Sequence, residues 1–157
     1  MWTSKIGRAQ RLKEDLEKVL VTFFASQPYT IETKTDAQSK RLIYFVTKAD
    51  EVPEEIALIT GDIIQNLRSA LDHLAYNLFT IGSGNGTSGR HIYFPIAEDF
   101  SEYERIKNKR TEGLAQQAKD AIDTIKPFRE GNDNLWKIHK LNIIGRATLT
   151  GEKVRRA

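Results

Sequence analysis

Gly61-Asp62-Ile63-Ile64-Gln65-Asn66-Leu67-Arg68-Ser69-Ala70-Leu71-Asp72-His73-Leu74-Ala75-Tyr76 is the stretch whose reading decides the fold. It sits inside a longer helical pattern running from Ile56 to Ile81. At about 100° per residue, Ile56, Thr60, Ile63, Ile64, Leu67, Leu71, Leu74 and Leu78 share one broad arc, the face expected to be buried. The other side collects Asp62, Asn66, Ser69, His73, Tyr76, Asn77 and Thr80, and Arg68 stands four residues before Asp72, where an ion pair can form. Arg68 and His73 are about 140° apart on this wheel. From one helix they share a site only across a groove or a two-fold axis.

Moving outward, Ser4 to about Phe24 carries apolar residues at three and four, Ile6, Ala9, Leu12, Leu16, Val19, Leu20 and Phe23, and reads as a first helix stopped before Pro28. The period then changes to two. Tyr29 to Thr35 and Arg41 to Thr47 are rich in branched and aromatic residues around a turn-like Asp36-Ala37-Gln38-Ser39, so an antiparallel hairpin is expected near residues 29–47. Two strands alone are marginal, so helices, a third strand or a partner chain must support them. Pro53 closes the hairpin, and Glu54 and Glu55 suit the first turn of the central helix.

Beyond Ile81 the run Gly82-Ser83-Gly84-Asn85-Gly86-Thr87-Ser88-Gly89 reads as a surface linker. It follows a helix and lacks the Gly-Lys-Ser/Thr ending of a phosphate-binding loop. Arg90 to Ile96 is expected to be a short extended piece covering an apolar face before turning at Pro95. Further helices are predicted over Glu98 to Lys109, over Thr111 to Ile125 with Thr111 as its cap, and from Leu135 to about Ile144, with Gly145 marking the end. The basic tail 146–157 has too few apolar residues to pack alone and is expected to be disordered. The fold class is therefore α+β: a bundle of four to five helices with one hairpin, in a single domain spanning 1–157.

Twenty-four Lys and Arg against twenty-one Asp and Glu give a net charge of +3, which is compatible with an anionic partner without requiring one. The absence of cysteine excludes a disulfide framework, a thiolate nucleophile and a sulfur-bound zinc. No apolar signal region and no apolar run of membrane-spanning length is present, so the expected location is cytoplasmic, without membrane association. The three histidines, His73, His91 and His139, stand in no metal-ligand spacing, and Gly82-Ser83-Gly84 is not a nucleophile elbow. No metal or cofactor is expected.

Arg68 and His73 are the main catalytic candidates, with Asp72 beside them. An imidazole moves protons near neutral pH and a guanidinium holds a phosphate, which together suit metal-independent cleavage of RNA through its own 2'-hydroxyl. Asn66 and Tyr76 are candidates for contacting a ligand. The competing reading pairs Arg68 with Asp72 as a purely structural ion pair. Trp136, His139 and Lys140, three and four apart in Leu135-Trp136-Lys137-Ile138-His139-Lys140-Leu141-Asn142, form a second candidate ligand-binding group, for which the alternative is core packing.

Taken together, Gly61-Asp62 with Asn66 to Tyr76, then Phe94-Pro95-Ile96, then Leu135 to Asn142, resembles a family of uncharacterised bacterial and phage-associated proteins. Members of that family usually continue with an Asp-Lys-His-Arg run, where this chain has Gly145-Arg146-Ala147-Thr148. More distantly, Arg68-Ser69-Ala70-Leu71-Asp72-His73 is similar to the arginine, four to six residues, histidine motif of HEPN domains. These are helical proteins of toxin–antitoxin and phage-defence systems. That resemblance implies a homodimer in which two motifs form one ribonuclease cleft. Two functions are thus expected: an interaction or scaffold protein linked through the resemblance to phage or mobile elements, or a metal-independent endoribonuclease. Both are expected as homodimers, with RNA or another protein as the further partner.

Overall fold

The chain is described by a computed structural model covering residues 1–82 and 89–150. Helix α1 spans Trp2–Ala25, strands β1 and β2 span Tyr29–Thr35 and Leu42–Ala49, and helices α2 to α5 span Glu54–Gly82, Phe100–Arg110, Gln116–Ile125 and Asp133–Thr150. Five helices and one small hairpin make the mainly helical α+β fold that the periodicity predicts. The linker expectation falls on 83–88, and the distal tail on 151–157, outside the described residues.

Local chemistry sets the boundaries. α1 stops as Ser26 turns its hydroxyl onto the Phe23 carbonyl at 2.7 Å and Gln27 enters the left-handed region, just before Pro28. In the hairpin turn the Asp36 carboxylate accepts the amides of Gln38 and Ser39, each at 3.2 Å, and Lys40 takes positive φ to reverse the chain. Asp99 caps α3 by accepting the Glu102 amide at 2.8 Å. Lys126, left-handed, ends α4 ahead of Pro127.

Two expectations are corrected at helix ends. Thr111 does not start α4: it is the C-cap of α3, its amide and hydroxyl both on the Lys107 carbonyl, and α4 begins only at Gln116. A threonine bonds backward to a carbonyl as readily as it caps forward, and spacing alone does not separate the two. Gly145 does not end α5, which runs to Thr150. Glycine keeps its N–H and costs a helix interior only about 1 kcal/mol, unlike proline.

By its internal contacts the chain forms two compact units, Met1–Gln10 with Gly61–Ala157, and Arg11–Thr60. The core of the first unites Ala75 and Phe79 of α2 with Ile92, Phe94 and Ile96, and with Leu114 and Ile122, flanked by Leu71, Leu78, Ala118 and Leu135. The expected extended piece thus covers an apolar face, although it forms no strand; the residue after it, Ala97, makes a parallel bridge to Phe128. On α2 the fully buried residues are Ala70, Ala75 and Phe79, while the leucines and isoleucines of the expected arc are half-buried. Ala75 and Phe79 lie on the flank of that arc toward Arg68 and Asp72, which turns those two polar residues to the same segment.

In the second unit the hairpin is antiparallel, with Ile31 opposite Val46, Thr33 opposite Tyr44 and Thr35 opposite Leu42, and a bulge between Thr30 and Ile31. Its base is fixed by the Asp50 amide on the Pro28 carbonyl at 2.8 Å and by the edge of Tyr29 on Phe23.

Gly131, in the turn before α5, has no room for a side chain. A Cβ there would sit 2.6 Å from the Lys126 carbonyl oxygen and 2.8 Å from the Phe128 ring. Gly131→Ala is therefore expected to cost about 1–3 kcal/mol, read as a lower urea midpoint, since the obstruction includes backbone that cannot swing aside.

Candidate functional site

A cavity of about 740 Å³ in the first unit opens on the polar side of α2 and is bounded by the segment 93–96, α3 and α5. Its lining from α2 is Gln65, Arg68, Ser69, Asp72 and His73. Gln65, Ser69 and Asp72 run along one helical line, and Arg68 and His73 stand on either side of it, so the 140° between them spans a groove floor. The two lead candidates therefore border one cavity within a single copy.

Arg68 and Asp72 are linked by more than their own ion pair. The Arg68 Nη2 lies 2.8 Å from the Asp72 Oδ1 and also donates to the Phe94 carbonyl at 3.0 Å, while the same Asp72 oxygen accepts the Phe94 amide at 3.1 Å. Two side chains one helical turn apart thus engage both backbone polar groups of one buried residue, and Phe94-Pro95-Ile96 is pinned to α2. With relative side-chain exposures of 12% and 28%, the pair is shielded enough to matter. Burial lifts the Asp72 carboxyl above its ordinary value, and the Arg68 charge and the Phe94 amide pull it back.

The opposite wall brings residues with no motif of their own. Arg105 and Arg110 of α3 join Arg68, so three guanidinium groups face the cavity together with Glu102. Arg110 stacks over the Tyr93 ring at 5.0 Å, and Arg105 pairs with Glu102 at 3.3 Å. From α5 come His139 and Asn142, the latter buried and donating to Gln65. Burial, reinforced by the Arg68 guanidinium, pushes the His139 imidazole from 6.5 down to about 4. His139 is thus neutral at pH 7.

A stability consequence follows. Between pH 6.5 and about 4 the unfolded chain takes up a proton at position 139 that the folded chain refuses, so stability rises with pH across that window. Acidification from pH 7 to 4 is expected to lower the urea midpoint of wild type more than that of His139→Gln.

The remaining candidates lie apart from this cavity. Trp136 and Lys140 both donate to Oε2 of Glu98, at 3.1 and 3.2 Å, and Arg129 stacks over the Trp136 ring. The Trp136 hydrogen bond is the main reason the Glu98 carboxyl is held below its ordinary value. Asn66 donates to the Asp62 carbonyl on its own helix, and Tyr76 is exposed beside Phe79. Of the group Trp136, His139 and Lys140, only His139 lines the cavity.

No protein-family model, curated protein or solved structure matches this chain. The site places three arginines, two histidines and two engaged carboxylates around a space large enough for a small ligand or a nucleotide segment. Among the described residues no three His, Asp or Glu side chains converge to hold a metal ion, and no helix is long and apolar enough to cross a membrane.

Proposed function

We propose that this cavity takes a phosphodiester of single-stranded RNA and cleaves it without a metal ion. The observation that carries the reading is that His73 and His139 border one cavity with Arg68, Arg105 and Arg110. In-line cleavage needs a base to take the proton of the 2'-hydroxyl, an acid to protonate the departing 5'-oxygen, and cations for the extra charge on phosphorus. His139, neutral at pH 7, is assigned the base and His73 the acid, with Arg68 and Arg110 on the phosphoryl oxygens. The 2'-oxygen bonds to phosphorus, the bond to the 5'-oxygen breaks, and the products are a 2',3'-cyclic phosphate and a 5'-hydroxyl. A bound phosphate offsets the Arg68 part of the field on His139, while burial, the larger cause of its low pKa, remains.

The resemblance to HEPN domains agrees in reaction class, but the assignment needs only one chain, because the second histidine comes from α5. The test is a single-stranded RNA incubated in excess EDTA with wild type, His73→Ala and His139→Ala. Cyclic phosphate ends from wild type alone support the reading. Intact RNA in all three tubes, or equal cutting in all three, overturns it.

A second reading, an interaction or scaffold protein, is favoured by the hairpin, where every residue of both strands is exposed.

A further inference from the structure

The cavity holds a pair of amides for which the cleavage assignment has no use. Asn142, only 9% exposed, donates from Nδ2 to the Gln65 Oε1, and both side chains line the cavity. A primary amide carries two donor hydrogens and a carbonyl acceptor, so a single bond between two amides leaves each of them partly unused. What remains is the Gln65 Nε2 as a donor and the Asn142 Oδ1 as an acceptor, and among the described residues neither has another hydrogen-bond partner. Exchanging O and N in both amides still leaves one donor and one acceptor. On a residue nine-tenths buried, such an acceptor suits an occupant that donates to it, since buried polar groups are normally bonded.

The position of the pair identifies the occupant. Gln65 stands three residues before Arg68 on α2, and Asn142 three after His139 on α5, so each amide is the helical neighbour of a residue assigned to the phosphodiester. A donor beside an acceptor is what the edge of a nucleobase requires, and asparagine and glutamine are side chains that read such edges. The edge is open to them only where the base is unpaired, as in single-stranded RNA.

We infer that Gln65 and Asn142 together read the nucleobase on the 5' side of the phosphodiester. The Gln65 Nε2 donates to an acceptor on the base edge, and an N–H of the same edge donates to the Asn142 Oδ1. The side follows from His139, which takes the proton of the 2'-hydroxyl: that hydroxyl belongs to the 5' nucleotide, and Asn142 adjoins His139. Base reading here rests on the cavity's assignment to RNA and adds selection of sequence to it. Stacking alone accepts every base, whereas hydrogen bonds to an edge do not.

Calorimetry with short uncleavable strands tests this on the full chain. Each strand has three deoxyribose residues, with adenine, cytosine, guanine or uracil on the central one and abasic residues on either side; a fifth strand is abasic throughout. Wild type is expected to bind the preferred base about tenfold more tightly than the abasic strand and to rank the four bases. Gln65 is exposed, and in Gln65→Ala, with folding checked by its urea midpoint, that preference should disappear. Gln65→Glu keeps an oxygen for Asn142 but lacks the free donor, and should lose the preference for the same base. Wild type that binds all five strands alike, or a preference that survives both substitutions, overturns the inference. These strands lack the 2'-hydroxyl, so intact RNA, the failure of the cleavage reading, is seen separately from failure of base reading. In RNA that wild type does cut, the preferred base should stand 5' of the cut, and a preference confined to the 3' side overturns the assignment.

Discussion

Asp72→Ala is expected to destabilise the first unit by about 3 kcal/mol, the largest effect of any exchange on the polar side of α2. One carboxylate oxygen holds both the Arg68 guanidinium and the Phe94 amide. Its loss leaves a largely buried cation without its carboxylate and a buried N–H without its acceptor, and each costs more than the net value of the bond removed. Asp72→Asn keeps an acceptor oxygen in place and is expected to cost only about 1 kcal/mol, the value of a neutral for a charged acceptor. Because the chain forms two units, the most direct readout is local: the Phe94 amide should exchange much faster in Asp72→Ala than in Asp72→Asn, alongside the shift in urea midpoint. An Asp72→Ala protein within about 0.5 kcal/mol of wild type, the range of ordinary surface exchanges, would show that the pair does not pin the segment.

The second large effect concerns turnover. His73→Ala is expected to reduce metal-independent RNA cleavage by about 10² to 10⁴, the range for removing a positioned acid or base, and His139→Ala by a similar factor. The two variants should differ in pH dependence. For wild type, kcat/KM is expected to climb as pH rises through about 4, where His139 of the free protein gives up its proton, and His139→Ala should lack that limb. His73→Ala should keep it. Rates must be set against the folded fraction at each pH, since the same titration also lowers stability in acid. If the two profiles coincide, the division of labour between the histidines is wrong even where cleavage is real.

The helix bearing Arg68 and His73 was legible in the sequence because a period of 3.6 sustained over many residues has few other causes, and the hairpin because its period changes abruptly to two. The Arg68–Asp72 pair was also legible, from its spacing. What the pair holds was not: Phe94 contributes its backbone, and a peptide group leaves no trace in side-chain pattern. Arg105, Arg110 and Glu102 were missed for a different reason. On a short, weakly periodic, highly charged helix they look like solvated residues, and only the folded chain brings them to the lining of the cavity. His139 was found as a ligand candidate but grouped with Trp136 and Lys140, which face Glu98 instead. Three residues of one helix surface diverge over about 100° or more, and that spread suffices to send neighbours in the pattern to different sites.

The Trp136 indole, hydrogen-bonded to Glu98 and stacked under Arg129, sits one helical turn before His139 on α5. An indole whose N–H points at a carboxylate and whose face meets a guanidinium emits according to that electrostatic setting. Any occupant of the cavity that shifts α5, or draws Arg129 away, changes the setting. The chain has only two tryptophans, so Trp2→Phe leaves Trp136 as a sole native fluorophore. The protein thus carries its own optical titration probe, with which candidate oligonucleotides can be screened by emission before any product is sought.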